Sequence, residues 1–300
     1  MSEMAGSSTA VLSQSSRPTA QVVTRTWSFV RKKPLAAGGA VTLMVLIGMA
    51  LAAPLVATHD PYSFAAADRL QGPSAEHYFG TDEFGRDLFS RVIYGARVSL
   101  KVGFIAVLFS TIAGSTLGIA SGYIGGWFDT IVQRLVDMLM AFPAVVLALA
   151  IVAARGQGVT NVIIALAVVQ TPGLVRVVRS NVLTLKERPF IEASRVIGAT
   201  PTRIMAVHLL PNVTPSIIVL ATAGLGGAIL AEATLSFLGL GTPPPQPSWG
   251  GMLSGSARRY ATQAPWLVIF PGIALSLAIY SFNLLGDGLR DLLDPRLRGR

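Results

Sequence analysis

The sequence predicts an all-α, polytopic membrane protein with six transmembrane helices and both termini on the cytoplasmic side. Of its 300 residues, 52% are hydrophobic and only 13% are charged, whereas a soluble domain usually carries about 25% charged residues. The mean hydropathy of +0.58 agrees with a chain that is largely embedded in lipid. The third observation is a set of six apolar runs, each close to the roughly 20 residues that a helix needs to cross a bilayer.

The six predicted spans cover residues 35–58, 98–123, 131–154, 159–178, 213–238 and 264–285. Together they define a six-helix transmembrane domain over 35–286. Residues 1–34 are rich in Ser, Thr and Ala and predict a disordered tail, not a cleavable signal peptide, because the first apolar run begins too late and is too long. Residues 287–300 carry alternating charges and predict a second solvated tail.

Orientation follows from the basic residues near the ends of the spans. With the N-terminus inside, sixteen Lys and Arg lie on the cytoplasmic side and eight lie outside. The predicted extracytoplasmic loop 59–97 is the exception, since it holds four Arg; the other long outer loop covers 239–263. The segment 186–211, a polar stretch between two apolar runs, is therefore placed in the cytoplasm.

The composition also excludes several functions. The net charge of +9 is spread over the ends of the spans, without the aromatic-basic stripe of a nucleic-acid-binding protein. The absence of Cys excludes disulfides and thiol catalysis. His59, His77 and His208 are scattered along the chain, so no metal site or catalytic triad is predicted. No P-loop motif is present, so the chain is not expected to bind ATP or to be an enzyme itself.

Three glycines recur every fourth residue in the second span: Gly114, Gly118 and Gly122. This spacing places them on one helix face, where they permit close approach of another helix. The partner can be a helix of the same bundle or, alternatively, of a second subunit.

The segment 186–211 carries the first family resemblance, in Glu192-Ala193-Ser194, Gly198 and Leu210-Pro211. These residues resemble the EAA loop of the membrane subunits of ABC importers. In that family the loop forms two short helices with the Gly at the bend, and the first helix docks on an ATP-hydrolysing subunit. Ser194 stands where the family has Ala, and His208 stands where it usually has Ile, as is common in the peptide-transporting branch. The alternative is an ordinary amphipathic loop helix.

Two further stretches resemble the dipeptide, oligopeptide and nickel permeases. The first is Gly80-Thr81-Asp82-Glu83-Phe84-Gly85-Arg86-Asp87, where the spacing of Asp82 and Arg86 predicts an ion pair at a helix start. The second runs from Ile229 to Gly241 and continues into a Pro-rich loop that ends at Trp249-Gly250. Within it, Glu232 falls late in the fifth span. An acid at membrane depth either lines the translocation path or is a paired or protonated carboxylate near the outer interface.

The resemblance covers about residues 31–296 and implies the "C" permease subunit of a type I ABC importer in a bacterial cytoplasmic membrane. It implies a second, homologous permease, two ATP-binding subunits that hold ATP-Mg, and an extracytoplasmic solute-binding protein. The chain itself is expected to bind no cofactor, and its surroundings are lipid. Peptides are the expected substrates, although nickel chelates and related small solutes stay open. The alternative from another class is a secondary transporter or channel driven by an ion gradient, in which Glu232 would be the ion site.

Overall fold

The computed structural model describes residues 33–293, which form helices joined by loops, and this part contains no β-strand. The helices are Pro34–Leu51 (α1), Ala53–Val56 (α2), Leu88–Ile124 (α3), Gly126–Met140 (α4), Ala144–Arg155 (α5), Val159–Leu185 (α6), Pro189–Val196 (α7), Pro201–Arg203 (α8), Leu210–Phe237 (α9), Trp249–Leu253 (α10), Ser256–Tyr260 (α11) and Trp266–Leu293 (α12). A 3₁₀ turn covers Ala66–Asp68, and a π-helix covers Ile204–Leu209 between α8 and α9.

Five stretches of the described chain are long and apolar enough to cross a membrane as helices. They are α1, α3, α6, the continuous helix Pro201–Phe237, and Trp266–Leu292 within α12. The predicted third span, 131–154, is instead a pair of helices, α4 and α5, bent by 92°. Pro143 lies at the bend and caps α5; because a proline has no N–H to continue the preceding helix, the direction changes here.

The bent pair crosses from one side of the molecule to the other. At the start of α4, Asp129 pairs with Arg179 near the end of α6, whereas beyond the end of α5 Gln157 donates to the carbonyl of Gly239, after α9. Lys33 and Asp291, at the two ends of the described chain, form an ion pair and so lie on the same side. An even number of crossings is therefore required, and six crossings satisfy it.

Two helices extend beyond the predicted spans. Helix α3 begins at Leu88, ten residues before the predicted start at residue 98, because the Asp87 carboxylate caps it by accepting from the Ser90 N–H at 2.8 Å. Helix α12 continues to Leu293, into the predicted C-terminal tail. Residues 1–32 and 294–300, which hold most of the two predicted tails, lie outside the described residues.

The three glycines of the second span pack inside this chain. An added Cβ at Gly114, Gly118 or Gly122 would lie only 2.6–2.9 Å from the nearest side-chain Cβ of α6, in each case one of Leu174, Val178 and Val182. The glycines therefore let the backbones of α3 and α6 approach closely, as expected for small residues spaced four apart. The interpretation within one bundle is confirmed for this face.

Ion pairs fix α4 against α6. The guanidinium of Arg179 donates two bonds of 2.6 Å to the carboxylate of Asp129, and Arg176 pairs with Asp137 at 2.5 Å. The i,i+3 spacing of Arg134 and Asp137 in the sequence predicts a local ion pair between them, and this prediction is wrong, because Asp137 has its partner, Arg176, on the neighbouring helix. An i,i+3 neighbour is only one of the positions that a long side chain can reach.

Candidate functional site

The segment 186–211 folds as two short helical pieces joined by a sharp bend. Helix α7 begins at Pro189, whose fixed φ and missing N–H suit the first helical position. Glu192 lies in the first turn, where a negative charge is favourable. The second piece begins at Pro201, and the hydroxyl of Thr200 accepts from the Arg203 N–H at 3.4 Å. The resemblance implied two short helices, and both are present.

Gly198 forms the bend between them. Its φ of +81° is a left-handed conformation, which costs other L-residues roughly 1–2 kcal/mol. The N–H of Ala199 donates to the carbonyl of Ser194 at 3.0 Å, which closes the end of α7. No atom outside the immediate backbone lies within 4 Å of an added Cβ at Gly198, so the requirement for glycine here is conformational and not steric.

One face of the loop is buried against the ends of the long helices. Ile191, Ile204 and Leu209 are fully buried in a cluster that also includes residues of α3, α6 and α9. Ser194 is buried beside them, and its hydroxyl donates to the Phe190 carbonyl at 2.8 Å and lies 3.5 Å from His208 Nε2. The two residues that depart from the usual EAA pattern, Ser194 and His208, are thus neighbours.

The opposite face of the loop is exposed and carries an apolar tip. Glu192, Ala193 and Gly198 are exposed, and so are Val196 and Ile197, at 83% and 84% of their surface. Sequence reasoning did not single out this β-branched pair. Helical spacing could have indicated Val196, which lies opposite the buried Ile191 and Ser194, but not Ile197, which follows Ser194 by three residues.

Leu210 and Pro211 lie at the return to the long helix and are both exposed. The chain from Pro201 to Phe237 is continuously helical, so the second half of the loop is already the beginning of the fifth span, which was predicted to start at residue 213. Pro211 cannot donate a backbone hydrogen bond, so the pattern of helical hydrogen bonds must change in the turns before it. The π-helix Ile204–Leu209 lies in this position.

Glu232 lies in a packed polar cluster at the other end of this same helix. Only 1% of its surface is exposed. Its carboxylate accepts from Ser99 Oγ at 2.9 Å and from Ser236 Oγ at 2.7 Å, so both oxygens are satisfied within the chain. In this conformation Glu232 joins α9 to α3 and does not face an open channel.

The Pro-rich loop is anchored next to this cluster by Trp249. The indole is fully buried, its Nε1–H donates to the Val92 carbonyl at 2.9 Å, and its backbone N–H donates to Ser99 Oγ at 3.3 Å. Gly250 rests directly on the backbone of Ala233, where no Cβ would fit. Residues 238–248 contain no helix, as predicted from their prolines.

A buried charge cluster holds the outer loops together. Arg86 Nε donates to Asp82 Oδ2 at 2.7 Å, which confirms the predicted ion pair, although it closes a turn before α3 and not the first turn of a helix. Arg91 shares the same carboxylate at 3.5 Å and donates to the Pro61 carbonyl at 2.9 Å. A cavity of about 440 Å³ is lined by residues of both this cluster and the Pro-rich loop, and Arg91 also donates to the Pro245 carbonyl of that loop at 3.5 Å.

The geometry suits protein docking and force transmission. An exposed apolar tip is fixed through a buried base to the inner ends of three long helices, and one of these helices carries a satisfied polar cluster near its outer end.

Comparison with known proteins agrees with this arrangement. Residues 114–299 match the family described as "Binding-protein-dependent transport system inner membrane component", and residues 23–73 match the "N-terminal TM domain of oligopeptide transport permease C". The dipeptide transport system permease protein DppC of Alkalihalophilus pseudofirmus is 48% identical over 269 residues, which is 90% of this chain and 88% of that protein. The glutathione transport system permease protein GsiD of Escherichia coli is 44% identical over 274 residues, covering 91% and 90% of the two chains.

A solved structure shares the fold. It is described as inward-facing conformations of the MetNI methionine ABC transporter, and its matching chain has a TM-score of 0.53 at 21% identity. The match covers 68% of this chain and 96% of that one. At this identity the likeness concerns the fold alone.

Proposed function

The chain belongs to the family of inner membrane components of binding-protein-dependent transport systems, and from this premise we propose that it forms half of the translocation pathway of an ATP-driven importer of short peptides. Two relatives that each match about nine-tenths of this chain are named for dipeptide and glutathione transport, and glutathione is itself a short peptide. The shared chemistry of these substrates, a peptide backbone with charged ends, supports the assignment of the substrate class.

One observation carries the coupling role of the loop 186–211. Val196, the last residue of α7, and Ile197, which follows it, are 83% and 84% exposed, whereas the other face of this helix is buried. Exposed apolar side chains fixed on a rigid base are typical of a surface that is covered by a partner protein. The partner that this site requires is an ATP-binding subunit with an apolar groove, because the chain has no P-loop of its own.

The connection from the tip to the spans is short and rigid. Ile191 of α7 packs in the same cluster as Leu209 and Val213, which lead directly into α9. Arg195 also lies over the ring of Tyr123 at the end of α3, with 5.5 Å from its guanidinium carbon to the ring centroid. A displacement of the docked tip therefore reaches two long helices without passing through a flexible linker.

The proposed assembly contains this chain, a second homologous permease, two ATP-binding subunits and an extracytoplasmic solute-binding protein. ATP-Mg is held by the ATP-binding subunits, and this chain binds no cofactor for transport. Residues Glu192, Ala193, Ser194, Gly198, Leu210 and Pro211 form the coupling segment, and Glu232 is the candidate residue of the translocation path. No observation favours the alternative of a transporter driven by an ion gradient.

The experiment replaces the exposed tip in the assembled transporter. In the double variant Val196→Ser/Ile197→Ser, we expect the ATP-binding subunits to be lost from the purified complex and dipeptide uptake to fall with them. Burial of one such side chain is worth about 1.5–3 kcal/mol, or roughly a 10- to 100-fold change in affinity for each residue.

The matched control is Leu55→Ser, an equally exposed apolar residue on the opposite side of the molecule. This variant should retain both the ATP-binding subunits and uptake. Full uptake by the double variant, or uptake in membranes that contain no ATP-binding partner, would overturn the proposal. The substrate class is tested separately by competition of labelled dipeptide uptake with unlabelled dipeptides, glutathione and a nickel chelate.

A further inference from the structure

Two of the three histidines of the chain meet outside the coupling and pathway regions. His59, which follows α2, and His77, in the loop before α3, have ring centroids 4.8 Å apart. Glu76 lies beside them. One ring nitrogen of each histidine and one carboxylate oxygen of Glu76 all lie within 4.8 Å of one another. The spacing of the residues does not indicate this cluster, because 17 residues, in loops and one short 3₁₀ turn, separate the two histidines without a metal-binding pattern.

His77 is held in the orientation of a metal ligand. Its Nδ1 lies 2.9 Å from Asp87 Oδ1, and its side chain is 7% exposed. Because the ionised carboxylate can only accept, Nδ1 carries the proton and the lone pair of the ring is placed on Nε2. A carboxylate that fixes a histidine tautomer in this way is the usual outer partner of a histidine bound to a metal ion.

The other two side chains are available to a ligand. His59 is one-third exposed, and its Nδ1 is 3.0 Å from Thr58 Oγ1, so its second nitrogen is not engaged in that contact. Glu76 is exposed and makes no side-chain hydrogen bond or ion pair within residues 33–293. The cluster therefore combines a fixed buried ligand with two that can adjust from the solvent side, where an ion would enter.

We propose that His59, Glu76 and His77 form a binding site for a divalent late first-row metal ion, with zinc the best fit. Two imidazoles and one carboxylate are an established donor set for zinc, and a water completes the four-coordinate shell. Imidazole donors disfavour magnesium and calcium, which prefer oxygen ligands. A bound ion joins the chain after α2 to the loop before α3, and Asp87, the cap of α3, supports it. The proposal stands independently of the transported substrate.

Zinc binding to the full-length chain, purified without a polyhistidine tag, tests the site. A chromophoric chelator in competition should report one zinc ion bound per chain. His59→Gln and Glu76→Gln should each weaken binding at least as much as the roughly 10- to 100-fold caused by loss of an outer-shell partner. Both residues are partly or fully exposed, so the variants are expected to fold, and their thermal unfolding without metal should match that of the wild type.

Two control variants match the chemistry of the changes. His208→Gln removes the remaining histidine, and Glu83→Gln removes another glutamate of the same outer loop; both should bind zinc as the wild type does. Cobalt substituted for zinc should give the visible absorption of a four-coordinate site with imidazole ligands, and His59→Gln should abolish it. The proposal is overturned if the wild-type chain binds no zinc, or if binding is equal in the His59→Gln, Glu76→Gln and His208→Gln variants.

Discussion

The carboxylate of Glu232 accepts a hydrogen bond of 2.9 Å from Ser99 Oγ, although the two residues belong to different long helices. Ser99 in turn accepts from the backbone of Trp249, so one hydroxyl joins α3, α9 and the Pro-rich loop. Because the cluster is buried, no water can replace a lost hydrogen-bond partner. Each buried polar group that is left unpaired lowers the free energy of unfolding by about 1–3 kcal/mol.

We predict that Glu232→Gln folds and assembles but changes the rate of peptide uptake. The amide can still accept one hydrogen bond and donate another to a serine hydroxyl, so the cluster keeps its contacts while the carboxylate is removed. Thermal unfolding and uptake are measured on the same preparations. Glu232→Ala is the contrasting variant, and it should unfold at a lower temperature. Unchanged uptake in a stable Glu232→Gln complex would contradict a role in the translocation path.

Gly118→Ala should destabilise the chain by about 1–3 kcal/mol through overpacking. The new Cβ would lie 2.8 Å from Val178 Cβ and 2.9 Å from the Val175 carbonyl oxygen. The backbone of α6 cannot shift to relieve these contacts without disturbing its own helix. Gly48→Ala is the control, because nothing lies within 4 Å of an added Cβ there. In that variant the gain in helix propensity should leave stability equal or slightly higher. Equal thermal unfolding of the two variants would refute the close approach of α3 and α6.

Gly198→Ala should lower the free energy of unfolding by roughly 1–2 kcal/mol, because a residue with a side chain is disfavoured in the left-handed conformation. No atom outside the local backbone lies within 4 Å of a Cβ added at Gly198, so the substitution strains only the backbone of the bend. Gly198→Asn should cost less, since Asn tolerates this conformation better. ATPase activity of the assembled complex, measured with and without the solute-binding protein, should lose its stimulation more in the Ala variant than in the Asn variant. The reverse order would show that backbone strain is not the cause.

Asp129→Asn should destabilise the contact between α4 and α6 more than Asp137→Asn does. The pair of Asp129 with Arg179 is bidentate and its side chains are 18% and 28% exposed, whereas Asp137 and Arg176 are about half exposed. Exposed pairs contribute about 0–1 kcal/mol. Double-mutant cycles with Arg179→Gln and Arg176→Gln, followed by thermal unfolding, measure the two coupling energies. A larger coupling for the exposed pair would contradict the prediction.

Much of the fold could be predicted because hydropathy is a local property. Each apolar run indicates its own helix, and the spacing of Gly114, Gly118 and Gly122 indicates a close contact between two helices. The bend of the third span was not predicted, since α4 and α5 together are long and apolar enough to form one span and only Pro143 marks the change. The wrong partner for Asp137 has a related cause: spacing along the chain identifies near neighbours, but Arg176 comes close only through folding.

The candidate sites likewise include features that lie within short motifs and features that form only through folding. Gly198 and Asp82–Arg86 lie within short motifs, so the sequence pointed to them directly. Val196 and Ile197 were missed because their exposure depends on which face of α7 is buried. The pairing of His59 with His77 depends on the path of an irregular loop, which no periodicity describes.

The continuous helix from Pro201 to Phe237 has a thermodynamic consequence. One element of 37 residues, roughly 55 Å long, carries the base of the docking loop at one end and Glu232 near the other. Free-energy linkage is reciprocal. If a ligand bound at the outer end changes the affinity of the loop for its partner, then binding of that partner changes the affinity of the outer end for the ligand by the same factor. The affinity of the docking loop, measured with and without peptide and binding protein, would therefore report events at the opposite face of the membrane.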